Sequence, residues 1–363
     1  MRKQLAAALI TLGALGGLQG CSEGDSATIN IDAPTSSNDV VNSNNTTTNN
    51  TNTDTGTNTG GNTDPVVECP AFTTEAANGQ CVLPSSISAD ATLVAGVDYL
   101  MTGRVTVGNG NGELSDSTTL ADGSSLQNVT LTIEPGVNIY GESGTFANLV
   151  ITRGSKIMAA GTADKPIVFS SDDAGMTGAG EWGGLIIHGF GPHNECADGG
   201  TVCNIDSEGE SGFAGGYNAN DNSGVLKYVV VAEGGYEFAP GNEINGISLV
   251  GVGAGTTMEY IQVEGNSDDG IEFYGGTVNL KYGVFTNNLD DSVDWDEGYQ
   301  GNLQYIIVKQ SPNGSGEAFE MDTQGTNLFL SKPTLSNVTI IADKKAADDE
   351  YILNFKAGSG GFF

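Results

Sequence analysis

Apolar and polar residues alternate in four short segments of the chain between Ile244 and Gly325. Each segment reads small, apolar, polar, apolar, a period of two that is typical of a strand with one buried face. The segments are Gly246–Leu249, Gly270–Phe273, Ser292–Trp295 and Ala318–Met321. Their first apolar residues lie 24, 22 and 26 residues apart, and a tyrosine-led segment of similar pattern begins at Tyr260, Tyr282 and Tyr305. A repeat of this length without helical periodicity predicts a coiled solenoid of parallel β-strands.

The composition agrees with many tight corners between short strands. The chain contains 54 glycines among 363 residues, and only 16% of its residues are charged. Glycine readily adopts the backbone conformations of tight turns and is unfavourable inside helices. Beyond the N-terminal segment, no stretch carries a sustained apolar stripe with helical spacing. We therefore predict an all-β fold.

The net charge of −32 restricts the partners that the protein can have. Binding to nucleic acid depends on clustered lysine and arginine residues that neutralise phosphates. The chain has 13 such residues against 45 acidic ones. The same balance disfavours adsorption to anionic lipid headgroups. The charge argues against nucleic acid as a partner and favours cations or cationic partners.

The first 20 residues have the pattern of a signal peptide. Arg2 and Lys3 precede an apolar run from Leu5 to Leu18, which is too short for a typical membrane span. The run leads into Leu-Gln-Gly-Cys at residues 18–21, which resembles the lipobox of bacterial lipoproteins. An ordinary signal peptide with an incidental cysteine is the alternative interpretation.

The lipobox resemblance implies an anchor. Residues 1–20 would be removed, and Cys21 would become the lipidated first residue of the mature protein. Because Ser22 follows it, where an aspartate would retain the protein at the inner membrane, the resemblance implies an outer-membrane lipoprotein exposed at the cell surface. We expect residues 21–67 to form a disordered tether. The stretch Asn42–Asn62 consists almost entirely of Asn, Thr and Gly and has no apolar surface to bury.

Four cysteines follow the tether in two close pairs, Cys69 with Cys81 and Cys196 with Cys203. In an exported protein an even number of cysteines suggests disulfides. The short loops favour these two pairings among the three possible ones.

A metal site is the alternative for the second pair, because His188 and His193 precede it closely in the sequence. We predict two structural disulfides instead. One belongs to an N-terminal capping region at residues 68–127, and the other to a surface loop insertion at about residues 190–222. Loops that interrupt a solenoid often build its binding face.

Three segments carry a resemblance to a known fold: Ile133–Ile139, Arg153–Ser171 and Gly180–Leu185. They resemble the opening turns of right-handed parallel β-helix proteins of the pectin-lyase-like superfamily, and they are especially similar to large bacterial surface lipoproteins of unassigned activity. The resemblance implies a right-handed parallel β-helix over residues 128–363. It implies no particular chemistry, because that superfamily holds lyases, hydrolases, adhesins and phage tailspikes.

A further strand-like segment, Leu353–Phe355, lies shortly before the last residue, Phe363. A solenoid needs its last turn covered, since an open end exposes apolar interior and unpaired strand edges. We expect a partner over this end, or an end that is incomplete relative to a longer family pattern.

Stacking of the turns should bring acidic residues into columns, with equivalent residues about 4.8 Å apart. The repeat predicts one column of Asn245, Asp269, Asp291 and Glu317 and a second of Ser248, Glu272, Asp294 and Glu320. Adjacent carboxylates repel one another unless their pKa values rise or a cation lies among them, and their hard oxygen atoms suit Ca²⁺. The alternative is that these side chains point into solvent, where their charges are screened.

We assign no catalytic residues. The segments Asp268–Ile271 and Asp290–Val293 resemble the paired-aspartate motif of polygalacturonases, but the Gly-His-Gly and Arg-Ile-Lys motifs of that family are missing. A pectate-lyase-like elimination uses Ca²⁺ and usually an arginine base. The arginines beyond the signal peptide, Arg104 and Arg153, belong to the predicted opening turns. A polysaccharide lyase or glycoside hydrolase acting on extracellular glycans is the alternative function.

Aromatic residues fall into groups with different expected roles. Phe273 and Trp295 share an apolar column that the alternation places inside the solenoid, whereas Tyr274 and Tyr299 lie at turns beside carboxylates and are candidates for carbohydrate contact. A further column of tyrosines at 228, 260, 282 and 305 has no predicted facing. The hypothesis is an outer-membrane-anchored binding or adhesion module with possible Ca²⁺ dependence and a glycan or surface protein as its partner.

Overall fold

The computed structural model describes residues 68–173, 175, 177–239, 243–312, 314–325, 328–342 and 352–363. The predicted signal peptide, Cys21 and the whole predicted tether lie outside the described residues. The described part of the chain consists of short β-strands, turns and one 3-10 turn at Glu208–Glu210, without any α-helix. Within it, no helix has the length and apolar character needed to cross a membrane.

The strands are short at the start of the fold and longer in its second half. In chain order they are β1 Thr74–Glu75, β2 Cys81–Val82, β3 Ser86–Ile87, β4 Ala91–Leu93, β5 Asp98–Met101, β6 Val105–Val107, β7 Thr130–Ile133, β8 Asn138–Gly141, β9 Leu149–Ile151, β10 Lys156–Ala160, β11 Ile167–Ser171, β12 Leu185–His188, β13 Ile205–Ser207, β14 Gly212–Ala214, β15 Gly224–Ala232, β16 Ile247–Val250, β17 Thr257–Glu264, β18 Ile271–Tyr274, β19 Asn279–Thr286, β20 Val293–Asp296, β21 Asn302–Lys309, β22 Phe319–Met321, β23 Thr334–Ile341 and β24 Leu353–Phe355.

The strands form two long parallel sheets that the chain visits alternately. The first sheet runs β2-β5-β8-β11-β15-β17-β19-β21-β23, with β4, β7 and β10 beside this path and β1 antiparallel at its edge. The second runs β3-β6-β9-β12-β16-β18-β20-β22-β24. Strands β13 and β14 form a separate antiparallel pair in the insertion. This topology is a parallel β-helix and confirms the predicted fold class.

The predicted register of the four segments is confirmed. Ile247 pairs with Ile271, Ile271 with Val293, and Val293 with Phe319, each on the neighbouring turn. Because side chains alternate across a strand, the residue two places further along also points inward. Leu249, Phe273, Trp295 and Met321 are accordingly all buried in the core. Full burial of a side chain of this size stabilises the fold by about 1.5–3 kcal/mol.

The tyrosine column lies on the outside of the first sheet, where each long strand bends. Tyr228, Tyr260, Tyr282 and Tyr305 have φ angles of 50°, 57°, 63° and 59°. Their half-buried rings stack with centroids 4.4, 4.5 and 5.1 Å apart. A bulky residue in this left-handed region costs about 1–2 kcal/mol, and the next turn has Asn337 there, a residue that tolerates it better.

Both predicted disulfides are present, Cys69–Cys81 and Cys196–Cys203, with Cα atoms 5.5 and 5.3 Å apart. The alternative that the second cysteine pair holds a metal is therefore wrong.

Parallel pairing begins earlier than the predicted boundary at residue 128. Strand β2 pairs with β5, and β5 pairs with β8. The predicted capping region thus already contributes strands to both sheets. At the other end of the fold, the side chain of Phe355 is 50% exposed, although its column is buried in the preceding turns.

Candidate metal centre

The second sheet carries a strip of carboxylates on its outer face. Strands β18, β20 and β22 place Glu272, Asp294 and Glu320 side by side, with Ser248 before them and Asn354 after them. The predicted second column is therefore confirmed. It follows from the register alone, because each of these residues lies between two inward-pointing apolar residues.

The first column is a hydrogen-bonded ladder that runs from turn to turn. The side-chain oxygen of Asn245 accepts the backbone N–H of Asp269 at 3.1 Å, and Asp269 Oδ1 accepts the N–H of Asp291 at 3.0 Å. Asp291 Oδ1 in turn accepts the N–H of Glu317. One oxygen of each aspartate is thus fixed by the backbone. These bonds hold the carboxylates in place.

The carboxylates are buried rather than solvated. Asp269, Glu272, Asp291 and Asp294 are only 6%, 8%, 4% and 8% exposed, while Glu317 and Glu320 are half-buried. The alternative that solvent screens these charges is therefore wrong for the four central residues. Removing ionised carboxylates from water is unfavourable unless protons, donors or cations compensate.

The carboxylates of the two columns converge in two sets of three, and Asp269 also forms a third set with Asp268 and Asp290 at the turns. One oxygen each from Asp269, Glu272 and Asp294 lie within 4.8 Å of one another, and the same holds for Asp291, Asp294 and Glu320. We call the first set the upper triad and the second the lower triad. Asp294 belongs to both, and its Oδ1 atom is buried without a hydrogen-bond partner among the described residues. A cation bound at these sets could satisfy a carboxylate that has an unpartnered oxygen.

The pKa values of these carboxyls respond to this crowding. Burial raises the pKa of Glu272 to about 8 and that of Asp291 to about 10, with neighbouring carboxylates adding to both effects. Burial, together with the charges of nearby carboxylates, also raises the pKa values of Asp269 and Asp294 well above their ordinary range. Without a cation, the array should therefore hold protons at neutral pH.

The insertion adds a carboxylate that the sequence did not reveal. Glu208, in the 3-10 turn, accepts hydrogen bonds from Ser248 Oγ at 2.6 Å and Asn245 Nδ2 at 3.2 Å. It therefore extends the strip next to the upper triad. Burial and the charge of Glu272 raise its pKa. The sequence gives no signal for this position, because the insertion shares no register with the repeat.

Both arginines of the described chain hold the insertion and its surroundings in place. Arg104 donates to the carbonyls of Gly209 and Glu210 in the 3-10 turn. Arg153 is fully buried and donates to several backbone carbonyls, among them those of Gly110 and Cys203 at 2.7 and 2.6 Å. Neither guanidinium is therefore free to act as a base at the carboxylate strip.

The histidines are also engaged elsewhere. His193 accepts the N–H of Glu195 at Nδ1, so its Nε2 donates to Glu297 at 2.6 Å. His188 contacts the Ser207 and Ser211 hydroxyls at Nε2. The hydrogen bonds of both imidazoles are thus to groups other than the carboxylates of the two triads.

The two tyrosines predicted to contact a ligand differ. The prediction for Tyr299 is wrong, because its ring is completely buried, stacks on Phe273 at 4.4 Å, and donates its hydroxyl to the carbonyl of Val278. The turn after β20 folds this ring inward to fill the core. Tyr274 is half-buried, and its hydroxyl lies 3.2 Å from Asn245 Nδ2, beside Glu272. Ligand contact through Tyr274 stays a prediction.

Comparison with known families agrees with the architecture. The family model described as "Pectate-lyase like beta helix domain" matches residues 100–363. No curated protein and no solved structure matches the chain. The matched range covers most of the chain, including both triads. The protein therefore belongs to the pectate-lyase-like β-helix family.

Proposed function

We propose that the protein is a surface lipoprotein, anchored in the outer membrane through Cys21, whose β-helix is a Ca²⁺-dependent binding or adhesion module. The observation that carries the calcium part is the buried Asp294 carboxylate, which belongs to both triads and whose Oδ1 atom lacks a hydrogen-bond partner among the described residues. The anchor is supported by the lipobox-like segment at residues 18–21.

The upper triad suits a hard divalent cation. It offers carboxylate oxygens from Asp269, Glu272 and Asp294 on three neighbouring turns, and Ca²⁺ prefers six to eight oxygen ligands of this kind. The half-buried Glu208 lies close enough to Ser248 and Asn245 to complete one side of the site. The remaining ligands would be water or groups of a partner, which provides a way for the ion to take part in binding.

A binding function is favoured over catalysis by what surrounds the strip. Elimination from an acidic glycan needs a base, and both arginines of the described chain are engaged with backbone carbonyls. A polysaccharide-degrading activity is the outcome that the test below would reveal instead.

Thermal unfolding with and without calcium tests the proposal. After EDTA treatment and exchange into buffer, millimolar Ca²⁺ should raise the Tm of the mature protein, which begins at Cys21, by several degrees. The reason is that a ligand at 100 times its Kd stabilises the fold by about 2.7 kcal/mol. The variant Asp294→Asn should lose most of this rise. Asp164→Asn, which changes an exposed carboxylate in the first half of the fold, should keep it.

An unchanged Tm of the wild-type protein on adding Ca²⁺ would contradict the metal proposal. The same samples, incubated with acidic and neutral polysaccharides, should release neither reducing ends nor products that absorb at 235 nm. Release of either would replace the binding module by a lyase or hydrolase. Retention on an immobilised glycan or cell surface that requires Ca²⁺ would support the module.

A further inference from the structure

The two triads share Asp294 but have different surroundings. Neutral groups donate hydrogen bonds to the upper triad: Asn245 Nδ2 donates to Glu272 Oε2 at 2.6 Å, and the N–H of Asp291 donates to Asp269. No lysine or arginine among the described residues forms an ion pair with an upper-triad carboxylate. The lower triad, by contrast, has a lysine against it.

That lysine is Lys356, and the register of the last turn puts it there. Met321 pairs with Phe355, so Lys356 follows at the position beside Asp322, and its N–H donates to the Met321 carbonyl at 2.8 Å. Its Nζ atom forms an ion pair with Glu320 Oε1. Asn354 Nδ2 donates to the same oxygen at 3.3 Å. The Oε1 atom of Glu320 thus already has two donors.

We propose that Lys356 is a built-in cation that closes the lower triad, so that the protein binds a single divalent ion, in the upper triad. This inference rests on the proposed calcium binding and adds the stoichiometry and the residue that sets it. The ammonium group and a divalent ion would compete for the same Glu320 oxygen. A second ion would also lie roughly one strand spacing, about 4.8 Å, from the first across Asp294.

The charges make the two triads unequal. Each triad carries three carboxylates, and the ion pair of Lys356 is with Glu320, which belongs to the lower triad only. The lysine side chain is 40% exposed and that of Glu320 is 19% exposed, so the pair lies at the open edge of the strip. A partly exposed ion pair is weak on its own. Its removal should therefore leave the fold intact while freeing the lower oxygens for an ion.

Isothermal titration calorimetry of the metal-free mature protein with CaCl₂ tests this inference. The wild-type protein should bind one ion per chain, and Lys356→Met should bind two. Lys356→Arg, which keeps the positive charge, should bind one. Lys332→Met is the matched control at the same end of the solenoid, because Lys332 packs over the Phe362 ring at 5.2 Å, and it should also bind one ion.

Two further variants assign the sites. In the wild-type background, Glu320→Gln should leave the single ion in place, because Glu320 belongs only to the lower triad. Asp269→Asn should weaken the affinity for that ion by at least tenfold. In the Lys356→Met background, Glu320→Gln should return the stoichiometry from two to one. Thermal unfolding of each variant in EDTA checks that it is folded, and Lys356→Gln replaces the Met variant if the latter is not.

The outcomes separate this inference from the proposed function. One ion in both wild type and Lys356→Met would overturn the role of Lys356 and leave calcium binding intact. Two ions in the wild type would also overturn it, because the lysine would then exclude nothing. No ion in any folded variant would overturn calcium binding itself and the inference with it.

Discussion

The tyrosine column and the carboxylate strip are two ladders built by the same stacking of turns, one on each sheet. The tyrosines attract one another through stacked rings, with Lys281 Nζ lying 5.1 Å from the centroid of Tyr282. The carboxylates repel one another and are buried as well. Repetition in a solenoid therefore places the same side-chain interaction on every turn, whether that interaction is attractive or repulsive. The buried carboxylates need protons or a bound cation to offset their repulsion, whereas the stacked tyrosines need no such group.

The largest expected effect that distinguishes the ladders is the pH dependence of stability. The folded pKa values of Glu272 and Asp291, about 8 and about 10, lie above their unfolded values. Between its unfolded and its folded pKa, each of these groups binds more protons in the folded protein than in the unfolded one. The free energy of unfolding of the metal-free protein should therefore fall as pH rises from about 5 to 9, by up to about 1.4 kcal/mol per pH unit for each such group.

Urea unfolding at a series of pH values, in EDTA and in saturating Ca²⁺, measures this effect. The slope should be smaller in Ca²⁺, because an ion in the upper triad favours the ionised form of Glu272, whereas Asp291 belongs to the lower triad and keeps its contribution. Equal slopes in both conditions would show that the strip does not carry the pH dependence.

The next effect is that removing one charge from the strip should change the free energy of unfolding in opposite directions without and with Ca²⁺. Glu272→Gln at pH 8 should stabilise the metal-free protein by about 1–3 kcal/mol, because it removes a buried carboxylate whose ionisation is costly. In saturating Ca²⁺ the same variant should be less stable than the wild type, because a ligand to the ion is lost. Unfolding in urea with and without Ca²⁺ gives both values.

Glu259→Gln is the matched change beside the tyrosine ladder. Glu259 pairs with Lys227 at 2.9 Å on a partly exposed surface, where an ion pair contributes at most about 1 kcal/mol. Its effect should be small and independent of Ca²⁺. If Glu272→Gln also had a small effect independent of Ca²⁺, the carboxylate strip would not differ from the tyrosine column in its need for a cation.

The last comparison concerns the tyrosine ladder itself. Tyr260 stacks on both neighbours, so Tyr260→Ala should cost about 1–3 kcal/mol, from two stacked pairs at about 0.5–1.5 kcal/mol each. Tyr260→Asn should cost less, because asparagine tolerates the left-handed φ of 57° better. Chemical denaturation of both variants tests the order, and equal losses would show that backbone strain does not matter at this corner.

Much of the architecture could be predicted because a solenoid repeats over short sequence distances. Ile247, Ile271 and Val293 gave the register, and the register placed Glu272 and Asp294 in one column without any knowledge of the rest of the fold. Features outside the repeat could not be found in this way. Glu208 reaches the strip from an insertion, and Tyr299 turns inward after β20, although its neighbours in the sequence are acidic.

The sequence by itself determined which residues share a strand face and a column, because pleating and parallel pairing fix both once the repeat is known. Only the tertiary structure decided how much water reaches each column. An outward position leaves the rings of the tyrosine column half-exposed but buries Asp294, and the insertion covers another part of the strip, where Glu208 contacts Ser248. That burial turns a row of acidic residues into a candidate cation site.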